Sequence, residues 1–393
     1  MNYDFNEAKT HLMDTYGRLD PVIVKGEGVY LYDKEGKEYI DFTSGIGVSC
    51  LGYGNKKWLD AVSMQLNTLV HSSNIFLNDP SVKLAKELTE KAHMSRVFFG
   101  NSGAEANEGA IKLARKYSFD KYGKGRSKIL TLVQSFHGRT ITTLQATGQD
   151  KFHKFFYPFT EGFDYVKAND TNDFKSKLTS DVCAIMLEAI QGEGGVIPLD
   201  KNFVQKVCSI AKEKDILVIF DEVQCGIART GKLFAYEHFD VKPDIVTTAK
   251  ALGAGLPIGG FLCNDKLKNV LKKGDHASTF GANPVICAGA LVVLDTLCND
   301  KSYTEISKKG DLIKDILSNS NNDKILDIRG KGLMVGIKTS LDIAKIQKEC
   351  LKNGLLILTA GKDVLRLLPP LVISDEEIKK GLNILLDVLQ KMN

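Results

Sequence analysis

The chain has 393 residues, with 52 Lys and Arg against 48 Asp and Glu for a net charge of +4, and is 43% hydrophobic and 25% charged. These are ordinary globular proportions, in a chain long enough for about two or three domains by the usual length prior. The basic excess is spread out, without a long basic run or an aromatic-interleaved basic stripe, so nucleic acid is not an expected partner.

Asp4, Glu7, Lys9 and Asp14 interrupt the start, leaving no apolar core for a signal peptide. No charge-free apolar run reaches the length of a membrane span, and a cytoplasmic protein without a membrane partner is expected. The eight cysteines contain no C-x-x-C pair and mostly lie in apolar segments, the pattern of reduced thiols packed as small hydrophobes. The seven histidines lack zinc-ligand spacing, so no metal site is expected.

In chain order, GVYLYDKEGKEYIDF reads as a hairpin turning at Asp33-Lys34-Glu35-Gly36. From about Asn55, apolar residues at helical spacing (Trp58, Val62, Leu66, Leu69; then Val82, Ala85, Leu88) precede short buried-strand candidates interleaved with helices. The strand candidates are Val97 to Phe99, Ile129 to Val133, Cys183 to Leu187, Ile216 to Phe220 and Ile245 to Ala249. Alternating strands and helices argue for an α/β fold with a mostly parallel sheet covered on both faces. After Asn283 the chain turns helical (Ala288 to Leu297, Ile306 to Leu317), then mixed, and closes on an amphipathic helix through Ile378, Leu382, Leu385 and Leu389. The expected division is 1–54 as an N-terminal segment joining a smaller α+β domain, 55–282 as the large domain, and 283–393 as the rest of the small one.

Ligands of open parallel sheets bind beyond the carboxyl ends of the strands, where the unusual polar residues of this chain collect. Asn101-Ser102-Gly103, Phe136-His137-Gly138-Arg139, Glu188, Asp221 and Lys250 each follow a strand candidate. Alone, Lys250 would be a lysine whose stem packs and whose head reaches solvent. In the apolar window PDIVTTAKALGAGLPIGG it reads instead as an amine that desolvation inclines to lose its proton and act as a nucleophile. Ser102 and Glu105 fit a capping box ahead of an alanine-rich helix, whose free N–H groups and dipole suit an anion, with Gly103 admitting a phosphate. An ordinary N-cap is the plainer reading of Ser102 alone, and a structural arginine would equally satisfy Asp221. Jointly, an anion cradle, a carboxylate, a lysine and the flat Phe136 ring match the phosphate, ring nitrogen, aldehyde and ring face of pyridoxal 5'-phosphate. The nucleotide-binding alternatives lack their glycine patterns.

The ordered motifs HSSNIF, FFGNSGAEANE, SFHGRT, QGEGG, FDEVQCGIARTGKLFAYEH, AKALGAGLPIGG, STFGANP and RLLPPLVI make the whole chain resemble the ornithine and 4-aminobutyrate type (subgroup III) aminotransferases of fold type I. The resemblance implies that Lys250 bonds the cofactor's aldehyde carbon, Asp221 pairs with the pyridinium nitrogen, Gln224 bonds the phenolic oxygen and Phe136 stacks on the ring. It implies phosphate contacts from Ser102, Gly103 and Ala104, and from Thr279 of a partner subunit with Ser278 near the substrate, hence a homodimer with shared sites. Arg139 would grip the carboxylate of an acylated diamine, and Arg366 the α-carboxylate of glutamate and 2-oxoglutarate, with Glu193 masking it. Without the resemblance, Glu193 and Arg366 read as solvated surface charges. The implied activity moves the terminal amine of N-acetylornithine to 2-oxoglutarate in arginine biosynthesis. The alternatives are an ornithine, succinylornithine, 4-aminobutyrate or lysine-pathway donor, an aminomutase, or a non-catalytic relative that binds the cofactor. Glu188-Ala189 stands where many relatives have Glu-Pro, and Gly281-Ala282-Asn283-Pro284 where many have two glycines, so slight loop shifts are expected.

Overall fold

A computed structural model describes residues 5–392. Met1 to Asp4 and Asn393, at the outer ends of the expected division, lie outside the described residues, as does the charge of Asp4.

A seven-stranded sheet forms the centre, in the order Arg96–Gly100, Gly259–Cys263, Ile245–Thr248, Leu217–Asp221, Val182–Leu187, Lys128–Leu132, Phe163–Val166. Every residue of Val182–Leu187 and of Leu217–Asp221 is buried. Strands covered on both faces have no solvent side to alternate toward, which is why they read as continuous apolar runs. The five expected strands all appear here, and their neighbours pair in parallel except around Gly259–Cys263.

That strand was not expected from the sequence. It runs antiparallel to both Ile245–Thr248 and Arg96–Gly100, and its paired glycines after Pro257 resemble loop rather than strand. Packing explains the first glycine: a Cβ on Gly259 would stand 2.0 Å from the carbonyl oxygen of Ser102. The strand therefore passes flush against the start of the helix Gly103–Tyr122.

The expected hairpin forms as Tyr30–Asp33 and Glu38–Asp41, preceded by Ile23–Glu27. Its free edge takes a strand from far along the chain, Leu355–Leu356, in parallel pairing. A separate antiparallel sheet orders Ile325–Lys331, Met334–Thr339, Val364–Leu367 and Leu358–Ala360. Helix Pro284–Leu297 packs instead against Lys56–Thr68 and Asp79–Ala92, and helices Asp300–Asn319 and Asp375–Lys391 complete this part. The last starts on a full capping box, Ser374 with Glu377, and buries Ile378, Leu382, Leu385 and Leu389 as its spacing predicts.

Candidate active site

Asp221 is the last residue of its strand, and Lys250 opens the turn Lys250–Gly253 just beyond the neighbouring one. Both line a cavity of about 600 Å³, a size suited to a cofactor with its substrate. Lys250 takes φ 42°, a left-handed conformation uncommon outside glycine and often stored at functional sites. Its amine makes no hydrogen bond or ion pair among the described residues. Burial pulls its pKa below that of an ordinary lysine, against the raising influence of Glu193. The amine therefore faces the cavity both unpartnered and inclined to be neutral.

Asp221 is 3% exposed, and a bare carboxylate there would be costly. Its Oδ2 accepts from Asn107 Nδ2 at 2.8 Å and pairs with His137 Nδ1 at 2.7 Å, while Oδ1 accepts from the Val223 N–H at 3.0 Å. Three donors leave room for one more on a group with about four acceptor positions. Burial alone would lower the His137 pKa, but the hydrogen bond and charge of Asp221 outweigh it and raise the imidazole. Asn107 and His137 were not assigned roles from the sequence. Asn107 lies on the inward side of an alanine-rich helix, and its second bond, to the His137 carbonyl at 2.7 Å, joins segments 30 residues apart.

Ser102 caps the helix Gly103–Tyr122, its Oγ accepting from the Glu105 N–H at 3.2 Å. The expected reciprocal bond is displaced by one residue: the Glu105 carboxylate accepts from the backbone N–H of Asn101, not of Ser102. The capping box is thus half formed. Ser102, Gly103 and Ala104 all line the cavity. A Cβ on Gly103 would fall 2.7 Å from Val223 Cγ1, so glycine lets this turn close over the segment that follows Asp221.

These features fit pyridoxal 5'-phosphate on the structure's own terms. The cavity offers an anion site at a helix start, an acid with an acceptor position to spare, an unpartnered lysine and the half-buried Phe136 ring. The Phe136 backbone N–H donates to Glu188 Oε2 at 2.9 Å, and Glu188 Oε1 accepts from Gly192 at 3.4 Å. Burial pushes the Glu188 carboxyl up to about 7.

Glu193 and Arg366 are not solvated surface charges, which corrects the reading made without the resemblance. Arg366 lies on the fully buried strand Val364–Leu367 and is 2% exposed. Its Nη1 donates to Glu193 Oε1 at 2.6 Å and to Gln224 Oε1 at 3.0 Å, and Gln224 Nε2 reaches Glu193 at 3.5 Å. Burial would raise the Glu193 carboxyl, but the Arg366 charge overcomes it and lowers the pKa. The side chain of Glu193 remains 32% exposed against 3% for Arg366, so the carboxylate is the half of the pair open to water. Arg366 is not among the cavity-lining residues and meets the site through Glu193 and Gln224.

Arg139 lines the cavity and is exposed; its guanidinium lies over the Phe152 ring at 4.2 Å. Ser278 and Thr279 do not line it. Ser278 Oγ accepts from Asn101 Nδ2 at 3.2 Å, and Thr279 is exposed beside it. In the same loop Ala282 adopts φ 58°, so alanine occupies a left-handed position that glycine would take without strain. Tyr16 also lines the cavity, a residue passed over in the sequence because nothing local to it signals a site.

The family model for class-III aminotransferases matches residues 14–389. The chain is 51% identical over 385 residues to an acetylornithine aminotransferase of Haemophilus ducreyi, covering 97% of each, and 43% identical to one of Methanocaldococcus jannaschii, covering 98% of this chain and 97% of that protein. Among solved structures, it matches the N-acetylornithine aminotransferase of Stenotrophomonas maltophilia at 34% identity and TM-score 0.85, covering 98% of both chains. It matches an ornithine aminotransferase of Toxoplasma gondii, whose structure has partial occupancy of PLP, at 31% identity and TM-score 0.94, covering 98% of this chain and 93% of that one.

Proposed function

Because the chain belongs to the class-III aminotransferases, which use pyridoxal 5'-phosphate, we propose that it moves the δ-amino group of N-acetylornithine to 2-oxoglutarate, yielding N-acetylglutamate 5-semialdehyde and glutamate for arginine biosynthesis. The 51% identity to an enzyme named for acetylornithine carries the choice of donor. The higher TM-score of an ornithine enzyme supports free ornithine as the second reading.

When bound, the cofactor supplies an aldehyde that accepts the amino group and a protonated ring that draws in electrons as the substrate C–H bond breaks. On this reading Lys250 would bond the cofactor's aldehyde carbon, and its amine would move the proton at the reacting carbon of the substrate. Asp221, oriented by Asn107 and His137, keeps a proton on the ring nitrogen. Ser102, Gly103 and Ala104 hold the phosphate, Phe136 packs against the ring face, and Gln224 bonds the phenolic oxygen. Arg139 offers a guanidinium fork, matched to a carboxylate as a lysine would not be.

The two substrates react at different carbons, the donor at its far end and glutamate at its α-carbon. A Glu193 gate resolves this: closed on Arg366 it leaves only Arg139 for the donor's carboxylate, and open it frees Arg366 for the α-carboxylate of glutamate. Charge-assisted hydrogen bonds are worth about 1.5–3 kcal/mol, enough to redirect binding by about tenfold or more. Glu193→Gln should therefore slow the N-acetylornithine half-reaction relative to the glutamate half-reaction by about tenfold, read by single-turnover kinetics. Parental rates in both would remove the gate.

A cytoplasmic homodimer sharing its sites follows from the same reading. Val70, Ile75, Phe76, Leu77 and Phe280 are exposed apolar side chains, with Ile75 at 85% and Leu77 at 89%. Asn74 ties their segment to the Ser278 and Gly281 carbonyls at 3.1 and 2.8 Å. Such a patch beside Thr279 suits burial against a second copy, whose cofactor phosphate Thr279 would then meet. No helix among the described residues is long and apolar enough to cross a membrane. The pairing of Leu355–Leu356 with Glu38–Asp41 supports grouping 1–54 with 283–393 around a large domain of 55–282.

The test is a donor series of N-acetylornithine, N-succinylornithine, free ornithine and 4-aminobutyrate with 2-oxoglutarate. N-acetylornithine should give a kcat/KM at least about tenfold above free ornithine: both carry the α-carboxylate, and only the acetylated donor has a neutral amide in place of the α-ammonium, whose charge would lie beside Arg139. Free ornithine leading the series would transfer the assignment to the second reading.

A further inference from the structure

The donor contacts leave open what holds the Arg139 guanidinium in place. Among the described residues it makes no hydrogen bond and no ion pair. Its neighbours are rings: Phe152, 4.2 Å from the guanidinium carbon to the centroid, and Phe136 at 5.6 Å. The two rings stand 6.1 Å apart at 70°, forming a corner. Phe136 already serves the cofactor face on the proposed reading, and Phe152 is the nearer ring.

We propose that Phe152 is a positioning residue for substrate recognition: it fixes the Arg139 guanidinium by stacking, so that the whole donor fork stays free for the substrate carboxylate. A carboxylate partner from the protein would hold the guanidinium as firmly but would consume the N–H groups that substrate needs, and would repel the incoming anion. An aromatic face attracts the cation through its quadrupole and occupies none of the edge donors. The ring is itself anchored. Phe152 closes the turn Asp150–Phe152, its N–H donating to the Gln149 carbonyl at 3.0 Å. Gln149 is 4% exposed and donates through Nε2 to the Ser135 carbonyl at 2.9 Å, one residue before Phe136. The turn carrying Phe152 and the segment leading to Arg139 are thereby laced together, which sets the height of the ring against the guanidinium.

This inference rests on the reading of Arg139 as the carboxylate site, and the experiment separates the two. Two probes are used with holoenzyme: N-acetyl-L-norvaline, which keeps carboxylate and acyl group but lacks the reactive amine, measured by calorimetry, and N-acetylputrescine, a donor lacking the carboxylate, measured by KM. In Phe152→Leu, the Kd for N-acetyl-L-norvaline and the KM for N-acetylornithine should rise about fivefold, with the KM for N-acetylputrescine unchanged and the loss carried by KM rather than kcat. Phe152→Tyr, which restores a ring, should return the parental values. Phe152→Met repeats the test if the leucine variant does not fold. An unchanged norvaline Kd, or equal weakening of carboxylated and decarboxylated ligands, would overturn the role of Phe152. Arg139→Gln supplies the separate control: if it too leaves the preference for the carboxylated ligand intact, the reading of Arg139 falls, whereas loss of that preference in Arg139→Gln alone leaves Arg139 in place and removes only Phe152.

Discussion

Replacing Lys250 with alanine lowers turnover with N-acetylornithine by about 10⁴-fold or more. The expectation follows from the state of the amine. It lines the cavity, it has no hydrogen-bond or ion-pair partner among the described residues, and burial lowers its pKa, so its charged form is less favoured than that of an ordinary lysine. Lys250→Arg should fail comparably, because a guanidinium cannot give up its proton in a protein. Steady-state kinetics on both variants, beside thermal melts showing that the fold persists, make the measurement. Turnover within about tenfold of the parent in Lys250→Ala would assign the proton transfer to another group.

Asp221→Asn should lower kcat by about 10²–10³-fold, the range found when one preorganised charge partner is removed from a site. The change is nearly isosteric, so lost packing would not explain the effect. It also acts on His137. With the carboxylate gone, burial is opposed only by the charge of Glu188, and the imidazole pKa should fall from its raised value, which an NMR titration of the ring reads directly. The sign of the stability effect follows from linkage. A raised folded-state pKa means that His137 contributes stability present in full below its unfolded value near 6.5 and lost as pH rises through the folded value. The decline in melting temperature above pH 6.5 should accordingly flatten in the asparagine variant. A His137 titration unmoved by the substitution would show that the buried pair does not set its charge.

The elements most legible in the sequence were those whose environment is uniform along their length. Val182–Leu187 and Leu217–Asp221 are buried throughout, so composition alone marked them. The closing helix could be read from its capping box and apolar spacing, because one face packs and the other does not. Gly259–Cys263 escaped because Gly259 answers a close approach to Ser102 and Gly260 one to Phe98, contacts with residues far away in the chain. The expected Ser102–Glu105 box was correct in its cap and wrong in its return bond, since the Glu105 carboxylate finds the Asn101 N–H first. Arg366 looked like surface charge because no local pattern shows that its strand is buried on both faces, with Glu193 brought from 173 residues away to pair with it.

The sequence by itself determined the kind of chemistry: an α/β scaffold, a lysine and an aspartate at strand ends, and an anion-binding helix start, all set by local periodicity and by the cost of burying a lone charge. Tertiary structure alone decided how those groups are held. The Asn107 and His137 supports of Asp221 and the Glu193–Arg366 pair each join segments distant in the chain. A charge's partners and its exposure depend on what folds against it, and neither is encoded within reach of its own neighbours in sequence.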